Sequence, residues 1–311
     1  MKPLVSVVIP SYNSAHHLPN AVASVRAQGR SDLEIVVVDD GSTDDTLSVL
    51  ESIGGDDLRV VVQPNAGPAA ARNRGIKEAR GHWVAFLDAD DMWCRSKLGA
   101  QLAELSRQGG AVFSYTALFH VHPGGEVYEV KHLFPNQPLF LTLLAGNCIV
   151  TSTVIVRRDC FDRVGLFDND LRLGEDWSMW LRLAASFEGV YLRSPLILYR
   201  IPLEPVKYSA RLLEQCTMSV LDRISSSEDI LTRWPRLTDQ RGELYAWHYS
   251  VVAKSHLRQR RVKDFLRLAY AAVSSHPKAL GYLTRRGHED QYSLEKVDRE
   301  FLTYADWVSG D

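Results

Sequence analysis

Three carboxylates stand where a hydrophobic segment stops: Phe86-Leu87 runs into Asp88-Ala89-Asp90-Asp91. Clustered carboxylates repel and need a compensating cation. Their oxygens suit Mg2+ or Mn2+, ions that bridge to substrate phosphates. A lone Asp-x-Asp also reads as a charged loop capping the next helix, but the position directly after a buried strand favours the metal. Two more polar clusters follow apolar runs. Pro10-Ser11-Tyr12-Asn13 follows Val5–Ile9, and Asp39-Asp40-Gly41-Ser42-Thr43-Asp44 follows Leu33–Val38. Tyr12 can stack on a nucleobase, and a carboxylate at a strand end can accept a ring N–H. Each is also an ordinary turn, with Ser42 and Asp45 as a plain helix cap. Arg72 lies among small residues (Ala69-Ala70-Ala71-Arg72-Asn73-Arg74-Gly75) with no local counter-charge. A phosphate or an acidic strand end would supply one; a solvated arginine is the alternative. Glu175-Asp176-Trp177 opens a helix. A carboxylate there, near a metal, could take a proton from a hydroxyl. Acids at a helix start are also favoured by the dipole alone, and the residues do not decide between the two.

The elements that must position these groups alternate. Val5–Ile9, Leu33–Val38, Arg59–Val62 and Trp83–Leu87 read as strands. Ala15–Gln28, a helix capped by Ser42, one opened by Gly67-Pro68, and Arg95–Leu105 read as helices. This alternation predicts an α/β fold whose mostly parallel sheet carries helices on both faces. Ligands in such sheets bind at the carboxyl ends of the strands, where the polar clusters lie. From Ala111 to about Arg200 the pattern mixes strands with a helix over Gly174–Phe187. From Lys207 onward it is almost only helical. The expected domains are 1–205 and a helical region 206–311.

Composition narrows the class. Over 311 residues, 45% are apolar and 24% charged, as in soluble globular proteins, and the net charge of −2 gives no footprint for binding nucleic acid. Cys94, Cys148, Cys160 and Cys216 are widely spaced and suggest neither a disulfide framework nor a zinc site. Free thiols in a reducing compartment are expected. No stretch is long and charge-free enough to span a bilayer; Leu139–Thr153 is short and interrupted by Asn147. A cytoplasmic location follows as an expectation, with contact at a membrane surface left open.

Taken in order, Pro-Ser-Tyr-Asn, Val-Asp-Asp-Gly-Ser-Thr-Asp, Asn-x-Gly with Ala-Arg-Asn, Leu-Asp-Ala-Asp-Asp and Glu-Asp-Trp resemble glycosyltransferase family 2 over residues 4–200. The resemblance implies the GT-A, Rossmann-like fold and inverting transfer of a sugar from a nucleotide diphosphate, most often UDP or dTDP, to an acceptor hydroxyl in polysaccharide or glycoconjugate synthesis. It implies that Asp40 reads the base, flanked by Pro10 and Tyr12 with Asp39 supporting the turn. Arg72 would lie near the base and ribose, and Asp88 at the ribose or metal shell. Asp90 would be the ligand of Mn2+ or Mg2+, and Asp176 the general base with Glu175 beside it at a glycan or lipid-linked acceptor. The chain departs from the family after Tyr199-Arg200, where Ile201-Pro202 replaces a residue followed by histidine. A nucleotidyltransferase, releasing pyrophosphate, and a non-catalytic nucleotide-sugar binder are the rival classes.

The C-terminal region carries one further pattern. Lys254, Arg258, Arg260, Arg261, Lys263, Arg267, Lys278, Arg285 and Arg286 accompany an apolar stripe of Val262, Phe265, Leu266, Ala269 and Val273. A helix of this kind can lie on an anionic membrane. Alternatively, the acidic stretch Asp290, Glu295, Asp298 and Glu300 folds back on it.

Overall fold

The computed structural model describes residues 2–132, 137–203, 208–284 and 292–297, with 131–132 and 292–297 described by their backbone alone. The first half winds strand and helix alternately: β1 (Val5–Ser11), α1 (Leu18–Arg26), β2 (Leu33–Asp39), α2 (Thr46–Ile53), β3 (Leu58–Val62), α3 (Pro68–Glu78) and β4 (Trp83–Phe86). The four strands are parallel in the order β3-β2-β1-β4. Val7, Val8, Ile9 and Val36–Val38 are all fully buried. A strand without polar alternation must be covered on both faces. Val22, Val25 and Leu50 of α1 and α2 cover one face; Ala69, Ala71 and Ile76 of α3 cover the other.

Beyond β4 the sheet changes character. After β5 (Met92–Trp93) and α4 (Lys97–Arg107) come β6 (Phe113–Val121), β7 (Val127–His132), α5 (Leu139–Ala145), β8 (Ile155–Arg157), α6 (Cys160–Val164), α7 (Glu175–Ser186) and β9 (Gly189–Arg200). The order β7-β6-β8-β4 is antiparallel throughout. β9 runs parallel to β6 and antiparallel to β5. The parallel sheet expected from the alternation is therefore the first half of a mixed ten-stranded one. The end of the mixed stretch is the single long strand β9, bulged near Ala117 of its partner.

The remaining helices are α8 (Ala210–Ser226), α9 (Glu228–Arg233), α10 (Arg236–Arg258), α11 (Val262–Ser275) and α12 (Ala279–Thr284). Val220, Leu221, Ile224, Ile230 and Leu237 join the same core as Phe86 and Trp180, so α8, α9 and the start of α10 pack onto the sheet domain. Farther along, α10, α11 and α12 form small clusters of their own. The nearly all-helical reading of this region missed β10 (Tyr292–Val297), an antiparallel edge strand on β7. Arg285, Arg286, Asp290, Asp298 and Glu300, and the side chain of Glu295, lie outside the described residues. All four cysteines are free thiols. Among the described residues no helix is long and apolar enough to cross a membrane.

The expected Ser42 cap is replaced by another arrangement. α2 begins at Thr46, and Ser42 Oγ instead accepts the Asn13 N–H at 2.9 Å. Asn13 Oδ1 accepts from Thr43 N at 2.8 Å. The hydroxyl thus ties together the loops leaving β1 and β2.

Close packing of α3 on β1 depends on Gly75, where an added Cβ would overlap Val8 Cγ1. Gly75→Ala is expected to destabilise the fold by about 1–3 kcal/mol, the usual cost of overpacking. Gly99 lies in α4 with nothing near its missing Cβ, so Gly99→Ala is expected to stabilise by roughly 0.5–1 kcal/mol. Urea unfolding of the two variants checks the opposite signs.

Candidate active site

The carboxyl ends of β1, β2 and β4 open into a cleft with two lobes. The first, about 560 Å³, is lined by Pro10, Tyr12, His17, Asp40, Asn65, Arg72, Asp88 and Asp90, among others. The second, about 550 Å³, is lined by Arg72, Asp88, His120, Asn147, Glu175, Asp176, Tyr199 and Tyr208, among others. Pro68, Arg72 and Asp88 belong to both. Residues far apart in the chain therefore meet as the sequence motifs anticipated, with Arg72 and Asp88 at the junction.

The wall of the first lobe is pre-shaped. Tyr12 is half exposed and lines the lobe. Asp40 is buried and accepts three hydrogen bonds: Gln63 Nε2 at 2.7 Å, Ala66 N at 2.9 Å and Gly67 N at 2.8 Å. It fixes the loop that leads into α3. Asp39 does not line the cleft. It lies beneath, fully buried, with Oδ2 accepting the Ser42 N–H at 3.1 Å.

Arg72 projects from the small-residue face of α3 and is almost wholly buried, its guanidinium 5.6 Å from the Phe167 ring centroid. It donates to Asp88 Oδ1 at 2.9 Å and to Glu175 Oε1 at 2.8 Å. Burial alone would lower its pKa, but the carboxylates of Asp88 and Glu175 prevail and hold it above the ordinary value, so it stays charged. The solvated-arginine alternative is excluded by its burial and partners.

The three aspartates after β4 have separate surroundings. Asp91 is buried, accepting the Ser152 hydroxyl at 2.6 Å and the Arg200 N–H at 3.1 Å. Burial, then the charges of Asp90 and Asp88, push its carboxyl well up. Asp90 reaches into the first lobe. Its pKa is raised by desolvation and then by Asp88. Asp88 is braced by its N–H on Ser152 Oγ at 3.0 Å. On the far side, Asp176 accepts Asn147 Nδ2 at 2.8 Å, besides its neighbour Trp177 N at 2.7 Å. Burial and then Glu175, opposed by Arg72, bring its pKa up to about 6.

Four carboxylates (Asp88, Asp90, Glu175 and Asp176) thus face one cleft, and Arg72 is the cation bonded to two of them, Asp88 and Glu175. Among the described residues no three His, Cys, Asp or Glu side chains converge as a self-sufficient metal cage. A divalent ion held by one or two carboxylates takes its remaining ligands from water and phosphate. Asp90, with Asp88 beside it, fits that mode; Asp91 is occupied by Ser152 and the Arg200 backbone.

Several contributors were not assigned roles from the sequence. Asn147 had been visible only as the polar interruption of an apolar stretch. Ser152 and Phe167 carry no local signal. Arg200, whose Nε donates to the Asp90 carbonyl at 3.1 Å, stands directly before the departure at Ile201-Pro202.

Residues 6–164, about half of the chain, match the glycosyl transferase family 2 profile. An uncharacterized glycosyltransferase of Rickettsia felis is 35% identical over 218 residues, which are 67% of this chain and 36% of that protein. The chain therefore spans about a third of that relative's length. The putative teichuronic acid biosynthesis glycosyltransferase TuaG of Bacillus subtilis is 34% identical over 58% of this chain and 72% of its own. Among solved structures, S. aureus TarS 1–349 in complex with UDP-GlcNAc is similar in fold, with a TM-score of 0.60 at 17% identity over 94% of this chain and 96% of that one. Mannosyltransferase PcManGT from Pyrobaculum calidifontis, in complex with GDP-Man and Mn2+, gives 0.58 at 18% over 91% and 84%. With the profile match, the ordered motifs and the fold in agreement, the chain belongs to glycosyl transferase family 2.

Proposed function

We propose that the chain is an inverting, metal-dependent glycosyltransferase that moves a sugar from a nucleotide diphosphate, UDP or dTDP favoured, to an acceptor hydroxyl in polysaccharide or glycoconjugate synthesis. The observation that carries this reading is the two-lobed cleft whose halves meet at Arg72 and Asp88, with Asp90 in one lobe and Asp176 in the other. The complexes of TarS with UDP-GlcNAc and of PcManGT with GDP-Man and Mn2+, and the naming of TuaG for teichuronic acid biosynthesis, support the donor and product classes.

In this reading the first lobe takes the nucleotide. Tyr12 stacks on the base, Asp40 holds the loop that frames it, and Pro10 closes the edge. Asp90, with Asp88, would hold Mn2+ or Mg2+, which when bound offsets the charge of the departing diphosphate. The acceptor hydroxyl enters from the second lobe, on the opposite side of the anomeric carbon, and a single displacement from there inverts the centre. Asp176 takes the hydroxyl proton. A carboxyl titrating at about 6 is mostly ionised at neutral pH yet a stronger base than an ordinary aspartate. Arg72 pairs with Glu175 and Asp88 and opposes the rise at Asp176 without cancelling it.

Peripheral contact with an anionic membrane at the cytoplasmic face is part of the same proposal. α11 splits its apolar residues between two faces. Leu268 and Ala272 are buried, whereas Val262, Leu266, Tyr270 and Val273 are exposed at helical spacing. Several of the nearby cations are tied up: Arg261 by Asp264, Arg267 by Glu214 and Lys278 by Glu243. Arg258, Arg260 and Lys263 have no ion pair among the described residues, and each surface-adjacent cation contributes about 1 kcal/mol with acidic lipid.

Calorimetry with UDP is expected to show binding that needs Mn2+ and weakens in Asp90→Ala; equal affinity without metal contradicts the metal role. Asp176→Asn is expected to keep donor binding and lose roughly 10²-fold or more in turnover, the range for a general base. Near-full activity would reduce the residue to a helix-start acid, and pyrophosphate among the products would favour a nucleotidyltransferase. Sedimentation with phosphatidylglycerol vesicles at low salt is expected to pellet the protein, and Leu266→Glu to release it. A protein that stays in the supernatant overturns the membrane contact.

A further inference from the structure

A third cavity, about 340 Å³, opens beside Asp176 on the side away from the first lobe. The end of α5, the start of α7, and α8 and α10 enclose it. It shares Asn147, Leu173, Gly174 and Asp176 with the second lobe, so the two spaces adjoin at the carboxylate proposed as the base. Its wall is largely apolar, built from Ala145, Leu173, Trp177, Leu213, Val251 and Val252. Three polar side chains of the wall are bonded to the protein, and Thr217 and Cys216 add a small hydroxyl and thiol. Trp177 Nε1 donates to the Leu143 carbonyl at 2.7 Å, His248 Nε2 bonds the Leu144 carbonyl at 2.7 Å, and Asn147 Oδ1 accepts the Ile149 N–H at 3.1 Å. Asp176, at the mouth, is the charged residue of the lining. A sugar ring placed here would leave most of its hydroxyls without partners, a costly desolvation. A hydrocarbon chain has no hydroxyls to desolvate and gains burial.

We propose that this cavity binds the alkyl chain of a lipid-linked acceptor, held next to the sugar whose hydroxyl faces Asp176. The proposal rests on the reading of Asp176 as the proton acceptor. A lipid is favoured over a soluble apolar group by what lies behind the wall. Val252 and Leu213 of the lining pack in one cluster with Leu268 and Phe265 of α11. The opposite face of α11 is the exposed stripe of Val262, Leu266 and Tyr270. One helix layer therefore separates the cavity from the surface proposed to rest on the membrane. The arrangement also gives α8 and α10 a task in substrate choice, since they supply Leu213, Cys216, Thr217, His248 and Val252 to the lining.

The test compares n-octyl and methyl β-D-glucoside as probes, by calorimetry below the micellar concentration of the octyl compound. The octyl glucoside is expected to bind at least tenfold more tightly. Filling the cavity with Thr217→Phe, or more conservatively Thr217→Met, is expected to abolish that advantage, while Leu266→Glu on the outer face of α11 leaves it intact. UDP titration of each variant reports folding and first-lobe binding separately. A wild-type protein that ignores UDP would undo the glycosyltransferase reading, whereas the glucoside comparison addresses the cavity alone. Equal binding of the two glucosides overturns the proposal. So does a chain advantage that survives both Thr217 variants, or one lost with Leu266→Glu.

Discussion

The guanidinium of Arg72 is the tie on which the site depends. It is charged, almost fully buried, and shared between Asp88 at the end of β4 and Glu175 at the start of α7. Taking such a cation out of water is costly unless its donors are met. Two carboxylates and the face of Phe167 offset much of that cost, although Nε has no partner among the described residues. The consequence is geometric: three elements that share no sequence neighbourhood are pinned at one point, and the two lobes of the cleft meet there. It is also electrostatic. Arg72 stays charged between Asp88 and Glu175 and opposes the upward push that burial and Glu175 exert on Asp176.

A second layer of restraint comes from residues that never face a ligand. Ser152 bonds both Asp91 and the Asp88 backbone, fixing the turn that presents Asp90. Trp247 and His248 of α10 bond the carbonyls of Ala145 and Leu144, which end α5 just before Asn147. Asn147 in turn holds Asp176. The C-terminal helices are in this way mechanically continuous with the proposed base.

The parallel half of the fold was legible because its physics is local. Val5–Ile9 and Leu33–Val38 are unbroken apolar runs, and Gly67-Pro68 is a local helix start that the structure keeps. Ser42 misled because a serine before a helix caps it by default; here its hydroxyl is claimed by Asn13, a neighbour across strands that spacing does not reveal. The antiparallel half was less legible, since β6, β8 and β9 pair across long separations. β10 lies in a polar stretch whose strand character comes from an edge on β7 rather than from its own pattern. In the site, the motif residues were legible by type and position. The partners that tune them, Ser152, Phe167 and Asn147, were not, because a hydroxyl, a ring or an amide gains its role only from what the fold sets beside it. The stripe on α11 was half legible: the periodicity was visible, but not which residues would face α10 and which would face solvent.

The central claim is that Asp176 is poised as a base by burial and Glu175 against the restraint of Arg72. Carboxyl 13C NMR titration of aspartate-labelled protein tests it without any substrate. The account predicts one resonance titrating at about 6 that is absent from Asp176→Asn and moves to higher pH in Arg72→Gln, where the opposing charge is gone. A resonance assigned to Asp176 that titrates near the ordinary aspartate value of about 3.9, or that ignores the loss of Arg72, would contradict it.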